Sequence, residues 1–324
     1  MKNGTDSLMT ITSEQLKEVS DSLEGLSFDV AQDSAKKTTN EIRYLKHYGL
    51  DFSSEEGIQH CIGRYESRGF QIAAQYWVPE NPMGTYFIVH GYFDDSGLYS
   101  HLIEHLLKLG YAVVIFDLPG HGLSSGERVT IKSFDHYVDV FSDLLHRCEG
   151  SFPKPWKAAG QSTGGAILIK YIMAAKPHHY HNDLDGVIVF APLIHPRSWK
   201  KSLFIYKLLH RFLDKIKRKM YPNTANEKFN QFLANDDPLQ TFYIPIEWIA
   251  SMKRWMEEFA ALSPNDYPLI VIQGDCDNTV DWKYNLEALE KKFCHLDVQI
   301  IPGAQHQMVN ETVWLREKIF KRLS

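Results

Sequence analysis

Cysteine is scarce in this chain and unpatterned. Its 324 residues hold four, Cys61, Cys148, Cys276 and Cys294, widely scattered and without a C-x-x-C pair, which excludes a disulfide framework and fits reduced thiols. Long apolar runs are missing too. No stretch approaches the ~20 apolar residues of a membrane span, and the opening residues lack the apolar core of a signal peptide. The expectation is a soluble, cytoplasmic protein. Positive charge is not in excess: the formal net charge is −5, so nothing draws the chain as a whole toward nucleic acid, and any basic patch is local. There is no internal repeat and no low-complexity tract.

What is present is a globular composition, 44% hydrophobic against 23% charged, enough to bury a sizeable core. The length suits one large domain with a smaller insertion. Residues 1–35 are polar and weakly periodic, and read as a frayed or partly helical lead-in. From residue 70 a rhythm begins. A half-buried strand is predicted over 70–78 and a short apolar strand over 85–89. Helices are then predicted over 98–109, 131–148, 165–175 and 313–323, and strands over 111–116, 156–159, 186–190, 269–273 and 298–301. Repeated β-α-β order predicts an α/β fold, a mostly parallel sheet flanked by helices. The strand rhythm stops over 192–263, where helical patterns rich in Trp, Phe, Tyr and Lys predict an inserted helical cap. The core is then 36–191 together with 264–324.

Gly160-Gln161-Ser162-Thr163-Gly164 lies between an apolar strand and an apolar helix, the setting of a nucleophile elbow. A serine on so tight a turn needs Gly160 and Gly164, because side chains there would collide with strand and helix. Serine is a weak nucleophile alone, so a base must take its proton and a third group must hold the base. Asp275, Asp277 and Asp281 follow one strand end and His306 follows the next, at the sheet edge where open α/β folds bind ligands. Asp277 is preferred on motif spacing to orient His306, with Asp275 suited to a turn and Asp281 to a helix N-cap as the alternatives. Two backbone N–H groups, those of Thr163 and Tyr92, are the expected donors to a tetrahedral oxyanion. His90 and Gly91 end the preceding strand, with His90 expected to brace the loop and not to titrate.

At these residues the chain resembles the monoacylglycerol lipase and lysophospholipase branch of the α/β-hydrolases, often called serine-aminopeptidase-like. The carriers are HGYFDDSGLYSHL at 90–102, FDLPGHGLSSGER at 116–128, GQSTGG at 160–165, GDCDNTV at 274–280 and PGAQH at 302–306. In relatives the acid lies three residues after the glycine of the fourth motif and the histidine closes the fifth, which maps them to Asp277 and His306. The resemblance implies a carboxylic ester hydrolase with an acyl-serine intermediate, acting on single-chain acyl lipids, with no cofactor and no metal. It differs at Gln161 and Thr163, where many relatives carry His and Met. Proline iminopeptidases share the fold but usually place an aromatic residue where this chain has Thr163. The alternatives are an aminopeptidase, a general short-chain esterase, or a non-catalytic binder of the same fold.

Three further patterns have plain structural readings. His101, Glu104 and His105 match the H-x-x-E-H pattern of a zinc protease, but no third ligand accompanies them, and a surface-covering helix is expected. His178, His179 and His181 read as a solvated turn. Lys200, Lys201, Lys207, Arg211, Lys215, Lys217, Arg218 and Lys219, interleaved with apolar residues over 199–219, predict a basic amphipathic helix. Its faces suit packing on the core or contact with anionic lipid. The cap aromatics Trp199, Phe204, Phe212, Tyr243, Trp248 and Trp255 are the expected walls for an acyl chain.

Overall fold

Each predicted core strand is apolar on both faces, so a stable arrangement needs cover on both sides. The computed structural model describes residues 10–31, 36–52, 57–173, 183–209 and 211–323, and it supplies that cover. Helices α1 (Ser13–Ser22) and α2 (Thr39–Tyr48) precede β1 (Ile58–Ser67), β2 (Phe70–Pro79) and β3 (Thr85–Val89). Next come α3 (Ser100–Lys108), β4 (Ala112–Phe116), α4 (Phe134–Cys148), β5 (Trp156–Gln161), α5 (Thr163–Met173) and β6 (Gly186–Phe190). Between β6 and the return of the sheet lie α6 (Trp199–Leu209), β7 (Lys215–Lys217), α7 (Glu227–Asn235), β8 (Tyr243–Pro245) and α8 (Ile246–Ala261). The sheet then resumes with β9 (Leu269–Gly274), α9 (Trp282–Glu290), β10 (Leu296–Ile301) and α10 (Val313–Phe320).

Eight strands form one sheet in the order β1-β2-β4-β3-β5-β6-β9-β10. Within it only β2 runs antiparallel to its neighbours; β4, β3, β5, β6, β9 and β10 pair in parallel. Side chains alternate between two cores. Ala112, Val114 and Phe116 of β4 pack with α4, α5 and α8, whereas Val113 and Ile115 pack with α1, α2, α3 and α10. The order reverses between β3 and β5, so the carboxyl ends of those two strands border the crevice where ligands bind in open α/β sheets.

Several local expectations change. The lead-in, expected to be frayed or partly helical, carries a capped and partly buried helix over Ser13–Ser22: Thr12 and Gln15 form a reciprocal capping box, and Leu16 and Val19 of α1 are buried. Its weak periodicity reflects a short helix that offers few apolar residues to the sheet. Strand 70–78 is buried on both faces, because α1 and α2 cover the side expected to meet water. Helix α4 starts at Phe134 and not at 131, since Ser133 accepts the Asp135 N–H at 3.1 Å as its N-cap. The basic segment is not one helix. It stops at Leu209, and Lys215–Lys217 is a strand paired with Tyr243–Pro245, a small sheet in a region expected to be helical. A β-branched residue flanked by lysines, Lys215-Ile216-Lys217, follows period 2, and that pattern wins locally.

Candidate active site

Ser162 directly follows β5 with φ +53°, a left-handed conformation that costs energy in a non-glycine residue and persists only when neighbours impose it. They do. Its N–H donates to the Phe190 carbonyl at 2.8 Å, and its own carbonyl accepts from Ala166 and Leu193, each at 3.0 Å. Gly160 and Gly164 make the turn sterically feasible: a Cβ on Gly164 would sit 1.9 Å from the Val89 carbonyl oxygen, and one on Gly160 would sit 2.7 Å from Gly164. Helix α5 therefore begins directly at Thr163, its N-terminus against the serine.

The His306 ring bridges serine and carboxylate. Its Nε2 lies 2.9 Å from Ser162 Oγ and its Nδ1 lies 2.8 Å from Asp277 Oδ2. The second oxygen of Asp277 accepts the N–H groups of Thr279 at 2.7 Å and Val280 at 3.1 Å, which aims the carboxylate. Register explains the meeting, because Ile301 pairs with Gly274 and both loops leave the sheet at one edge. Burial pulls the His306 pKa down, but the Asp277 charge and hydrogen bond outweigh it, Asp94 adds to them, and the net shift is upward. For Asp277, burial pushes upward, yet His306 and the two backbone donors hold it below the usual carboxylate value. Asp275 accepts the Gly303 N–H at 2.7 Å within a turn. Asp281 precedes α9 without a side-chain cap bond. Neither touches His306.

Val89 pairs with Gly160, so the loop after β3 starts beside the elbow. His90 is fully enclosed, with Nδ1 2.8 Å from the Gly91 carbonyl and Nε2 accepting the Leu118 N–H at 2.9 Å. Burial depresses its pKa, leaving a neutral brace between two loops. No hydrogen bond occupies the Tyr92 or Thr163 amide among the described residues. The Tyr92 ring stacks on Trp248 of α8 at 3.8 Å, and its hydroxyl donates to the Val129 carbonyl at 2.6 Å.

Four residues that sequence reasoning left aside hold this arrangement. Gln161 donates to the His306 carbonyl at 2.9 Å, and Gln307 donates to Asp94 at 3.1 Å. Asp94 also accepts from the Gly91 amide and the Tyr99 hydroxyl. The buried Glu311 accepts the Gln305 N–H at 2.6 Å, and the Thr224 hydroxyl and Ala225 N–H at 2.9 Å each. The available signal was their place in or beside the motifs, Asp94 in HGYFDDSGLYSHL, Gln161 in GQSTGG, and Gln307 and Glu311 just after PGAQH. Their partners lie far away in sequence.

Elsewhere, Glu104 pairs with Lys108 on α3 and His105 packs on Phe320; among the described residues no three potential ligands gather around a metal-sized space. His178, His179 and His181 lie outside the described residues. Phe204 and Phe212 do not form walls of the site but face solvent, 68% and 81% exposed. Trp255 stacks on Phe134 in the core, and of the six cap aromatics Trp248 is the one stacked on Tyr92. No helix among the described residues is long and apolar enough to cross a membrane.

A mostly parallel eight-stranded sheet, with a serine on a strained strand-helix turn facing a histidine and a carboxylate from later strand ends, defines an enzyme of the α/β-hydrolase class. The chain belongs to the Hydrolase_4 family, described as serine aminopeptidase, S33, whose sequence model matches residues 80–313. It is 25% identical to the phospholipase YtpA of Bacillus subtilis over 76% of this chain and 95% of that one. It is 28% identical to the monoglyceride lipase of Rattus norvegicus, over 66% of this chain and 72% of the other. In structure it is similar to a soluble variant of monoglyceride lipase from Saccharomyces cerevisiae, with a TM-score of 0.69 at 20% identity, covering 80% of this chain and 92% of that one.

Proposed function

We propose that this protein hydrolyses carboxylic esters through an acyl-serine intermediate. The observation that carries the reading is the Ser162–His306–Asp277 chain, with contacts of 2.9 and 2.8 Å. Ser162 Oγ attacks the ester carbonyl while His306 Nε2 takes its proton; Asp277 stabilises the imidazolium, and the amides of Thr163 and Tyr92 receive the oxyanion. His306 then protonates the departing alcohol. A water, deprotonated by the same nitrogen, releases the carboxylic acid and restores the serine.

For the substrate we favour a single-chain acyl lipid, a monoacylglycerol or lysophospholipid. The support is the similarity to a phospholipase and to monoglyceride lipases, together with the segment over 192–263, which we take as a cap above Ser162. Trp248 reaches the site from that segment by stacking on Tyr92. We further propose that the cap's outer face rests on anionic lipid. Phe204, Leu208 and Phe212 are exposed there beside the exposed Lys200, Lys201, Lys207, Lys215 and Lys217, a combination suited to an acidic membrane surface. A cytoplasmic setting agrees with four free cysteines.

Labelling with a fluorophosphonate followed by peptide mapping tests the mechanism: modification of Ser162 is expected, and an unlabelled Ser162 refutes it. A series of esters from two to sixteen carbons, run below micelle-forming concentrations, tests the substrate. Each buried methylene adds up to ~0.8 kcal/mol, so kcat/KM should climb until the pocket is full. A flat series, or faster cleavage of alanine and proline arylamides, favours the short-ester or aminopeptidase alternative.

A further inference from the structure

Arginine is always charged, and placing its guanidinium against protein without a carboxylate is costly unless an anion arrives. Arg218 comes part of the way: it is half-buried and has no ion-pair partner among the described residues, while its unbonded nitrogens still reach solvent, from where an anion could approach. Its N–H donates to the Phe242 carbonyl at 2.9 Å, extending the β7–β8 ladder and fixing where the side chain departs. The side chain turns in from a run of exposed lysines and lays its guanidinium 3.7 Å from the centre of the Phe93 ring. Phe93 follows Tyr92 in the loop after β3 and itself has φ +68°. Both side-chain hydrogen bonds of Arg218 use Nη1, to Gln240 Oε1 and the Thr241 carbonyl, each at 3.3 Å. Nε and Nη2 have no protein acceptor among the described residues, and Arg218 makes no ion pair there. Arg128, another arginine bridging core and cap, spends both terminal nitrogens on carbonyls, those of Gly122 and Leu239.

The carboxylate that acts on Arg218 from a distance is Asp94. Its oxygens are already taken by the Gly91 amide, the Tyr99 hydroxyl and the Gln307 amide. Burial pulls the Arg218 pKa down, the expected response of a cation with too little compensation. A fork of free N–H groups beside the loop that carries the Tyr92 amide is shaped for a two-oxygen anion. In a lysophospholipid the phosphate lies three carbons from the scissile ester oxygen, on the alcohol side, whereas a monoacylglycerol carries a neutral hydroxyl there.

Resting on the ester-hydrolase reading above, we propose that Arg218 is a specificity-determining residue that binds the head-group phosphate of a lysophospholipid and biases the enzyme toward it over a monoacylglycerol.

The test is the ratio of kcat/KM for 1-lauroylglycerol 3-phosphate to that for 1-lauroylglycerol, measured on wild type, Arg218→Gln and Arg218→Lys. A ratio taken within one preparation cancels any loss of folded protein. Losing a charged hydrogen-bonded contact should lower the ratio about ten- to a hundredfold in Arg218→Gln. Lysine, a point charge without the fork, should restore part of it. A fall below tenfold in Arg218→Gln overturns the proposal, as does an equal loss on both substrates. Calorimetric binding of 1-lauroylglycerol 3-phosphate to Ser162→Ala protein, with and without Arg218→Gln, reads the same contact without turnover. If wild type cleaves neither ester while Arg218 still governs that binding, the hydrolase reading fails and the phosphate site stands. Inorganic phosphate displacing the lysolipid as well as sn-glycerol 3-phosphate does would mark a free-anion site and overturn the head-group assignment.

Discussion

The carboxyl edge of the sheet and the segment between β6 and β9 obey different rules. At the edge, Ser162, Asp277 and His306 are buried, and the backbone around them is tied by hydrogen bonds running from β3, β5, β6 and β9. In the intervening segment, large apolar side chains such as Phe204 and Phe212 stand in solvent, and lysines surround them. The first region is organised to hold three side chains still. The second offers surface. The proposed chemistry therefore sits on the rigid edge, and the proposed discrimination among substrates on the intervening segment.

The sharpest way to break that division is at the edge. Ser162→Ala should cost at least ~10⁴-fold in kcat on any ester the wild type cleaves, with an unchanged melting temperature, since the hydroxyl contributes chemistry and not packing. Near-full turnover in this variant would remove the serine from the mechanism. Asp277→Asn should cost about 10³- to 10⁴-fold, because asparagine cannot stabilise the imidazolium. Asp275→Asn and Asp281→Asn should stay within roughly threefold, as surface turn changes do. If Asp275→Asn were the crippled variant, the geometry at His306 would be wrong.

A stability measurement probes the same edge without catalysis. Gly164→Ala puts a methyl group 1.9 Å from the Val89 carbonyl oxygen, and relief requires moving α5 away from β3. Overpacking of this kind costs roughly 3 kcal/mol, to be read from urea unfolding midpoints. A loss below ~1 kcal/mol would mean that the elbow is more pliant than its hydrogen bonds imply.

The sequence was most informative where chemistry and backbone geometry demand particular residues. A serine turn needs Gly160 and Gly164, and a base needs a carboxylate at a neighbouring strand end, so the elbow, the alternation of strands and helices and the meeting of Asp277 with His306 could be read from local patterns. Gln161, Asp94, Gln307 and Glu311 could not, because each acts through a partner far along the chain and polar side chains carry no periodicity. Helix α1 was only half legible, in a lead-in read as frayed or partly helical, for a related reason: ten residues with two buried side chains give little amphipathic signal. The basic stretch over 199–219 misled more seriously. Its charges and apolar residues suit a helix throughout, and only pairing with Tyr243–Pro245 turns its second half into a strand.

Acidity sharpens the comparison at intermediate scale. In the proposed mechanism His306 must be neutral to accept the serine proton, and its pKa is raised mainly by Asp277 against the opposing effect of burial. The acid limb of kcat/KM should therefore lie above the ordinary imidazole value of about 6.5. Any stability contributed by the protonated pair is fully present below the unfolded pKa and lost as pH rises through the folded one. In Asp277→Asn the residual limb should move down, because burial then acts with one supporting charge fewer. An upward move would contradict the assigned pairing.

The smallest effects belong to the segment between β6 and β9, and they separate its two duties. Phe204 and Phe212 are mostly exposed, so Phe204→Ser and Phe212→Ser should change the folding free energy by no more than about 0.5 kcal/mol. If this face meets a membrane, the same changes remove apolar area that lipid would bury, and a fully buried phenylalanine is worth roughly 1.5 to 3 kcal/mol. Partial insertion at an interface supplies part of that, so each substitution should weaken sedimentation with phosphatidylserine-containing vesicles about three- to tenfold. Replacing Lys200 and Lys201 by Gln should weaken it by a similar factor in low salt and by less in high salt, since each lysine near an anionic surface is worth about 1 kcal/mol and is screened. Equal binding to neutral and acidic vesicles would rule out the electrostatic part. Unaltered sedimentation in all four variants would make the exposed aromatics bystanders and leave substrate choice to groups turned toward the site, Trp248 and Arg218 among them.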